Sequence, residues 1–416
     1  MTVYSHEDGP GNADLRLSKD RSTDKISPMR IAFIHQEKKL GTGANFINDL
    51  MASRLRDAGV RVKNFYPKNP LIDAPLHLKG ISNVLFFYSL LVHKDEIATY
   101  DLIQGTTYTP LAYLPFPIPV VSHFGSTSWG FLKAVPLAQD LEPALRKIWI
   151  NLKKEGVIRE LNIHTRRPLR DVAEVEKLVA THAAMVIATS DTVKSDLLGA
   201  GVAPERIRVV PNAIEDYWFK GPPLVFAEAV PLVFLGRLGT DVFTLKLKGL
   251  DRLVDYYQSF PAMPKYTIGM TLNKELMKWC DTNISHHVFY PNLRKDHIPG
   301  ALQGKAGGIL LITSRYEGFS LSLIEGMSQG LIPVAYPVGI APEIIQNGKN
   351  GFLVSGQSEG KRTIEYLLHL PREERQRLAT AAQETARQFN AKTISKRLLR
   401  VYDEVLKNRS DRSNGH

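Results

Sequence analysis

Short apolar runs alternate with helical stripes along most of this chain, and the alternation starts abruptly at Met29. Arg30-Ile31-Ala32-Phe33-Ile34-His35 has the length and composition of a strand. Leu40-Gly41-Thr42-Gly43 follows as a glycine turn, and over 44–58 the residues Phe46, Ile47, Leu50, Met51 and Leu55 recur on one helix face. Further strands are predicted at 60–66, 102–104, 118–123, 184–188 and 207–210, and a second series at 231–236, 266–270, 287–290, 308–313 and 333–336. Strands separated by helical stripes predict parallel βαβ units. The chain therefore reads as α/β, with two Rossmann-like, doubly wound domains facing each other across a ligand cleft. The predicted divisions are a disordered tail over 1–28, a first domain over 29–214, a second over 215–391, a basic amphipathic helix over 392–407 and a short tail over 408–416. The linker 212–230 carries Pro222-Pro223 and reads as the hinge.

At 416 residues and 44% hydrophobic content, two domains are expected rather than one. An excess of 53 Lys and Arg over 42 Asp and Glu gives +11, which favours nucleotides, phosphorylated sugars, anionic lipid head groups or nucleic acid as partners. Cys280 is the only cysteine, which excludes an internal disulfide and favours a reducing, cytoplasmic setting. The longest apolar candidate, 81–92, falls short of the ~18 to 20 residues of a membrane span. The opening 1–28 has no apolar core and so does not read as a signal peptide.

The densest candidate chemistry lies in Ser314-Arg315-Tyr316-Glu317-Gly318-Phe319-Ser320-Leu321, which leads to Glu325 eight positions after Glu317. An apolar run at 308–312 precedes it, and Leu321, Ile324 and Met327 recur at helical spacing after it, so the segment reads as strand, turn, helix. The orphan N–H groups and positive dipole end of such a helix make a diphosphate seat, which Gly318 is expected to leave unobstructed. Paired carboxylates along that seat suit bidentate hydrogen bonding to the vicinal hydroxyls of a sugar and of a ribose.

With Ile332-Pro333-Val334-Ala335, Gly339-Ile340-Ala341-Pro342-Glu343 and Asn347-Gly348-Lys349-Asn350-Gly351, this segment resembles the C-terminal half of the retaining glycosyltransferases of family 4, whose hallmark is two glutamates separated by seven residues. The resemblance implies a GT-B fold and extends over most of 29–404. It places Gly41, Thr42 and Gly43 in a glycine-rich loop near the transferred sugar, and His123, closing Pro119-Val120-Val121-Ser122-His123, as a sugar-contacting group. Arg237 and Lys248 resemble the pair that neutralises the donor diphosphate. They lie eleven residues apart, more than the family typically shows, and Lys246 competes with Lys248 for the role. Ala213 stands where the family usually has Gly.

The same resemblance implies that Glu317 binds the donor sugar and Glu325 the ribose, that the backbone N–H groups of Gly318, Phe319, Ser320 and Leu321 hold the phosphates, and that the base is cradled near Leu293. It implies same-face transfer of a hexose-type unit, with neither glutamate as nucleophile and no metal or other cofactor. His286, His287 and His297 lack a partner at zinc spacing, and no Asp-x-Asp signature stands at a strand end.

The acceptor is sought in 129–182, where Arg159, Arg166, Arg167 and Arg170 stand among apolar residues such as Ile148, Trp149, Leu152, Val157 and Ile158. Such a surface fits a phosphorylated, lipid-linked or glycan acceptor and peripheral contact with the inner face of a membrane, or else an ordinary solvated helix face. Two other readings stay open: a GT-B sugar-nucleotide epimerase, and a non-catalytic nucleotide-sugar or nucleic-acid binding protein. Basic motifs flanked by stacking aromatics are missing, so nucleic acid is not the expected partner.

Overall fold

A computed structural model describes residues 29–35, 43–67, 86–162 and 167–414. Two six-stranded parallel sheets organise it. The first runs in the order β2-β1-β3-β4-β5-β6, with β1 Arg30–Ile34, β2 Arg61–Phe65, β3 Leu102–Thr106, β4 Val120–Phe124, β5 Met185–Ala188 and β6 Ile207–Val209. The second runs β12-β11-β10-β7-β8-β9, with β7 Leu232–Arg237, β8 Lys265–Met270, β9 His287–Pro291, β10 Ile309–Ile312, β11 Ile332–Ala335 and β12 Phe352–Leu353. Strands buried on both faces explain the continuous apolar runs: every residue of β5, β10 and β11 is buried. The order of the second sheet reverses between β7 and β10. Ligands of doubly wound sheets bind beyond the strand ends at that reversal.

Two elements cross between the domains. The long C-terminal helix Ala391–Asn414 returns to the first domain, where Ile394, Leu398, Val401, Tyr402 and Val405 pack with Ile47, Met51 and Leu55 of the first helix, Gly43–Asp57. It does not stop at 407 as the apolar stripe implied; the polar residues beyond continue the helix through Asn414, so no separate tail starts at 408. The chain crosses into the second domain at Ile214, whose N–H donates to Phe389 O at 3.0 Å, so the outward and return strands of the hinge run side by side.

The second crossing overturns a sequence-based boundary. Residues 141–158 fall within the predicted first domain, yet Leu141, Leu145, Trp149, Leu152, Val157 and Ile158 belong to the apolar core of the second domain, with Val254, Tyr257, Leu276 and Trp279. The helix Pro143–Lys154 buries Leu145, Trp149 and Leu152, the i, i+4, i+7 stripe of an amphipathic helix, and presents Lys147, Lys153 and Lys154 to solvent. Trp279 Nε1 donates to Asn151 Oδ1 at 3.0 Å, and Asn273 Nδ2 to Val157 O at 3.2 Å. Covering the second domain's helices is what this apolar stripe is for. It forms a strap across to the second domain.

Candidate functional site

The geometry of the second domain's site begins with a glycine. Gly249 has φ +66°, and a Cβ there would lie 2.0 Å from Thr313 O, so only glycine lets the Lys248 segment close onto the end of β10. Thr313 Oγ1 donates to Lys248 O at 2.9 Å, Arg315 N–H to Leu247 O at 2.8 Å, and the Arg315 guanidinium pairs with the buried Asp251 at 2.6 Å. These ties bring Lys248 Nζ to 2.6 Å from Glu317 Oε1, and Ser314 Oγ donates to the same oxygen at 2.7 Å. Glu317 Oε2 accepts from no described residue. Arg237, the last residue of β7, is exposed at the reversal of the sheet and has no ion-pair partner among the described residues.

Lys246 no longer competes with Lys248. It is 1% exposed, donates to Pro136 O at 3.1 Å and Asn162 Oδ1 at 3.0 Å, and lies over the Trp149 ring. The helix Val242–Leu247, which accounts for the long spacing between Arg237 and Lys248, buries Val242 and Leu245 in the core cluster that holds the strap.

The turn leading into the helix Leu321–Ser328 is rich in unsatisfied donors. Ser320 precedes that helix with φ +79°, makes no side-chain cap, and has a buried Oγ without a partner. The N–H groups of Gly318, Phe319, Ser320 and Leu321 donate to no described residue. Orphan N–H groups converging at a positive helix end are suited to an anion.

Gly318 also lets the domains approach. A Cβ at this position would meet Gly125 O at 1.9 Å and Ser126 Cα at 2.6 Å, so glycine is needed for the first domain to reach the turn. The Gly318 carbonyl accepts from Ser190 Oγ at 2.5 Å and Thr189 Oγ1 at 3.4 Å. Beside it, Tyr316 OH donates to Asp196 Oδ2 at 2.6 Å and accepts from Thr127 N–H at 3.2 Å, and Thr127 Oγ1 donates to the same aspartate oxygen at 2.7 Å. Burial and the Asp196 charge hold the Tyr316 phenol far above its usual range, hence neutral.

Glu325 lies in the second turn of the same helix and is buried, not open to the cleft mouth. Its Oε1 is 3.1 Å from Lys295 Nζ, which also contacts Glu215 Oε1 at 2.7 Å and Oε2 at 2.9 Å. Burial raises the Glu325 carboxyl, and Lys295 opposes that shift. Leu293 is half-buried just after β9 and packs onto the second domain's core.

On the facing domain, His123 stands in β4, half-buried, and burial lowers its pKa to about 4, so the imidazole is neutral near pH 7. It lines a small cavity with Asn48, Gln104, Asn212 and apolar residues of the first and last helices. Gly43 opens the first helix, whereas Gly41 and Thr42 lie outside the described residues. Arg159 is exposed after the strap and Arg170 is exposed in the helix Arg167–His182; Arg167 opens that helix, and Arg166 lies outside the described residues. Reasoning from sequence missed Lys295, Tyr316, Thr127, Ser190 and Asp196. Only Tyr316 carried a signal, as the residue beside Glu317.

Residues 245–385 match the family model described as "Glycosyl transferases group 1", a span holding Lys248, Glu317 and Glu325. An uncharacterized 41.2 kDa protein in the cps region of Klebsiella pneumoniae is 27% identical over 198 residues, 45% of this chain and 52% of that protein, so the match spans about half of the relative. Among solved structures, sucrose-phosphate synthase from Thermosynechococcus elongatus superposes with a TM-score of 0.69 at 17% identity, covering 91% of this chain and all of that one. Anabaena HepE, solved with UDP and glucose, gives 0.61 at 20% identity over 90% of this chain and all of its own. The architecture is GT-B.

Proposed function

We propose that the protein is a glycosyltransferase that moves a hexose-type sugar from a nucleoside diphosphate donor to an acceptor, with retention of configuration. The observation that carries the reading is the Lys248–Glu317 contact at the mouth of a turn with four N–H groups that donate to no described residue. An ammonium, a free guanidinium at Arg237 and orphan N–H groups suit a diphosphate whose negative charge grows as the glycosidic bond breaks. Glu317, with one oxygen uncommitted, suits a sugar hydroxyl, and Glu325 the ribose. The match to the glycosyl transferases group 1 model over this half and the GT-B neighbour solved with UDP and glucose support a nucleotide-sugar donor.

In the proposed mechanism no protein nucleophile is used. The departing diphosphate takes the acceptor's proton on the face it leaves, while Arg237, Lys248 and the Gly318–Leu321 N–H groups stabilise the leaving group and neutral His123 orients the sugar. No metal is required in this scheme, since the cationic side chains carry the charge balance. Among the described residues no helix is long and apolar enough to cross a membrane. A cytoplasmic enzyme, with peripheral membrane contact through a lipid-linked acceptor, fits the exposed Lys147, Lys153 and Lys154.

The test is a thermal-shift panel of UDP-, GDP- and ADP-linked hexoses, since a ligand of the native state alone raises stability by RT ln(1 + [L]/Kd). Donor hydrolysis is then followed for the best binder, with the anomeric form of the released sugar read by NMR before mutarotation. A stabilising donor and first release of the donor's own anomer are expected. Stabilisation by none of the panel, or release of the opposite anomer, overturns the donor class or the retention respectively.

A further inference from the structure

The second glutamate of the pair is not held by its own helix alone. Lys295 begins a short 3-10 turn, Lys295–His297, placed after β9, and its ammonium reaches two carboxylates from distant parts of the chain. Glu215 takes it with both oxygens, at 2.7 and 2.9 Å, and Glu325 Oε1 lies at 3.1 Å. Glu215 directly follows Ile214, the residue bonded to Phe389 where the chain crosses between domains, so its backbone is anchored independently of the nucleotide site. The titratable groups facing Glu325 are Lys295, Glu215 and Tyr217. Two carboxylates against one ammonium leave the buried cluster with one negative charge in excess. Such a cluster accepts further hydrogen-bond donors readily. The Lys295–Glu325 contact is an ion pair without an aligned hydrogen bond, since Glu325 Oε1 has no partner of proper hydrogen-bond geometry. Glu325 Oε1 is thus held beside Lys295 by charge, with hydrogen-bonding capacity left over.

Resting on the nucleotide-sugar reading above, we propose that Lys295 is a positioning residue: clamped by Glu215, it holds the Glu325 carboxyl in place for the ribose hydroxyls of the donor. It need not touch the substrate. Its effect is on which form of Glu325 the ribose meets. Burial alone favours the neutral carboxyl, which offers a weaker and differently shaped set of acceptors; the ammonium opposes that preference. Without Lys295 the upward shift that burial gives Glu325 goes unopposed, and the carboxyl takes up a proton more readily than in the parent. Ribose binding would weaken along with it.

The experiment titrates UDP, GDP and ADP by calorimetry into the parent and into Lys295→Arg, Lys295→Met and the double variant Lys295→Met with Glu215→Gln, from about pH 5 to 8. The double variant removes the second buried carboxylate charge, so a folded protein lacking Lys295 remains at hand even if Lys295→Met alone does not fold. For the nucleotide the parent binds, the expected result is a Kd raised about tenfold in the variants without Lys295, the loss of a charge-assisted contact. The weakening should deepen as pH falls, Lys295→Arg should keep the parent's flat profile, and kcat with the matching nucleotide sugar should change much less than KM. A Lys295 that only props up the fold would lower the unfolding midpoint and leave Kd and its pH profile at the parent's values, which overturns the proposal while the parent's nucleotide binding still stands. If the parent binds none of the three nucleotides, the donor reading itself falls and the role of Lys295 falls with it.

Discussion

Lys248 and Glu317 meet because backbone and buried ion pairs tie their segments together, whereas His123, in the first domain, stands in its strand with no hydrogen-bond partner for its ring among the described residues. The second domain presents a preorganised surface. The first domain supplies reach: Gly125, Thr127, Ser190 and Asp196 come across to hold the Tyr316–Gly318 turn. A charged leaving group whose structure is constant from one turnover to the next calls for rigid electrostatics. An acceptor of unspecified shape does not.

If this contrast holds, substitutions in the rigid wall act together and strongly. Glu317→Gln and Lys248→Met should each lower turnover on the order of 10²-fold, the scale of losing one preorganised electrostatic group. The double variant should be little worse than either alone, because the two side chains form one unit. Initial-rate kinetics on the three proteins decide it; fully multiplicative losses would mean the groups act separately.

The strap comes next. Trp149→Ala removes a side chain with 0% exposure from the second domain's core, and should cost about 3 to 5 kcal/mol in denaturant unfolding. A midpoint equal to the parent's would detach the strap from the core in solution.

Tyr316→Phe sharpens the comparison at the seam between the walls. Thr127 still satisfies Asp196, so only about 1 kcal/mol, roughly fivefold in kcat/KM, should be lost. Parent-like kcat/KM in this variant would show that the seam does not set the turn.

His123 tests the open wall through pH. Its folded pKa of about 4 lies below the ordinary value of 6.5, so its contribution to stability is present above pH 6.5 and is lost as pH falls toward 4, where only the unfolded chain readily accepts the proton. His123→Gln should therefore lose less stability than the parent on going from neutral pH to pH about 5, by thermal melts. Equal losses would place the ring in contact with water. The smallest effect is expected from Arg159→Ala and Arg170→Ala: within about 0.5 kcal/mol in stability, with donor hydrolysis unaltered. Should their effect on acceptor KM prove large at low salt, the first domain has a charged acceptor surface after all.

The parts legible in the sequence were those written in short-range pattern. Apolar runs marked most of the strands, and the spacing of Glu317, Gly318 and Glu325 marked the turn and helix, because strand, turn and helix N-terminus are all local. What escaped depends on contacts between segments far apart in sequence. Nothing around Trp149 says which domain its stripe will cover, and Lys295 looks like any charged residue in a loop until Glu215 and Glu325 arrive on either side of it. Gly318 was read for its lack of a side chain, correctly, but the atom that needs the space belongs to Gly125, almost two hundred positions earlier.

The reciprocal crossings also set the order in which a ribosome can deliver a finished molecule. The first domain's core includes Ile394, Leu398, Val401, Tyr402 and Val405, so its apolar sheet face stays partly uncovered until that helix has emerged. The Trp149 stripe, made long before the second domain exists, must likewise wait for its site. Domain-by-domain folding during synthesis, the usual route for a chain of this size, is closed to this one at both steps, and the waiting surfaces are the ones chaperones would be expected to meet.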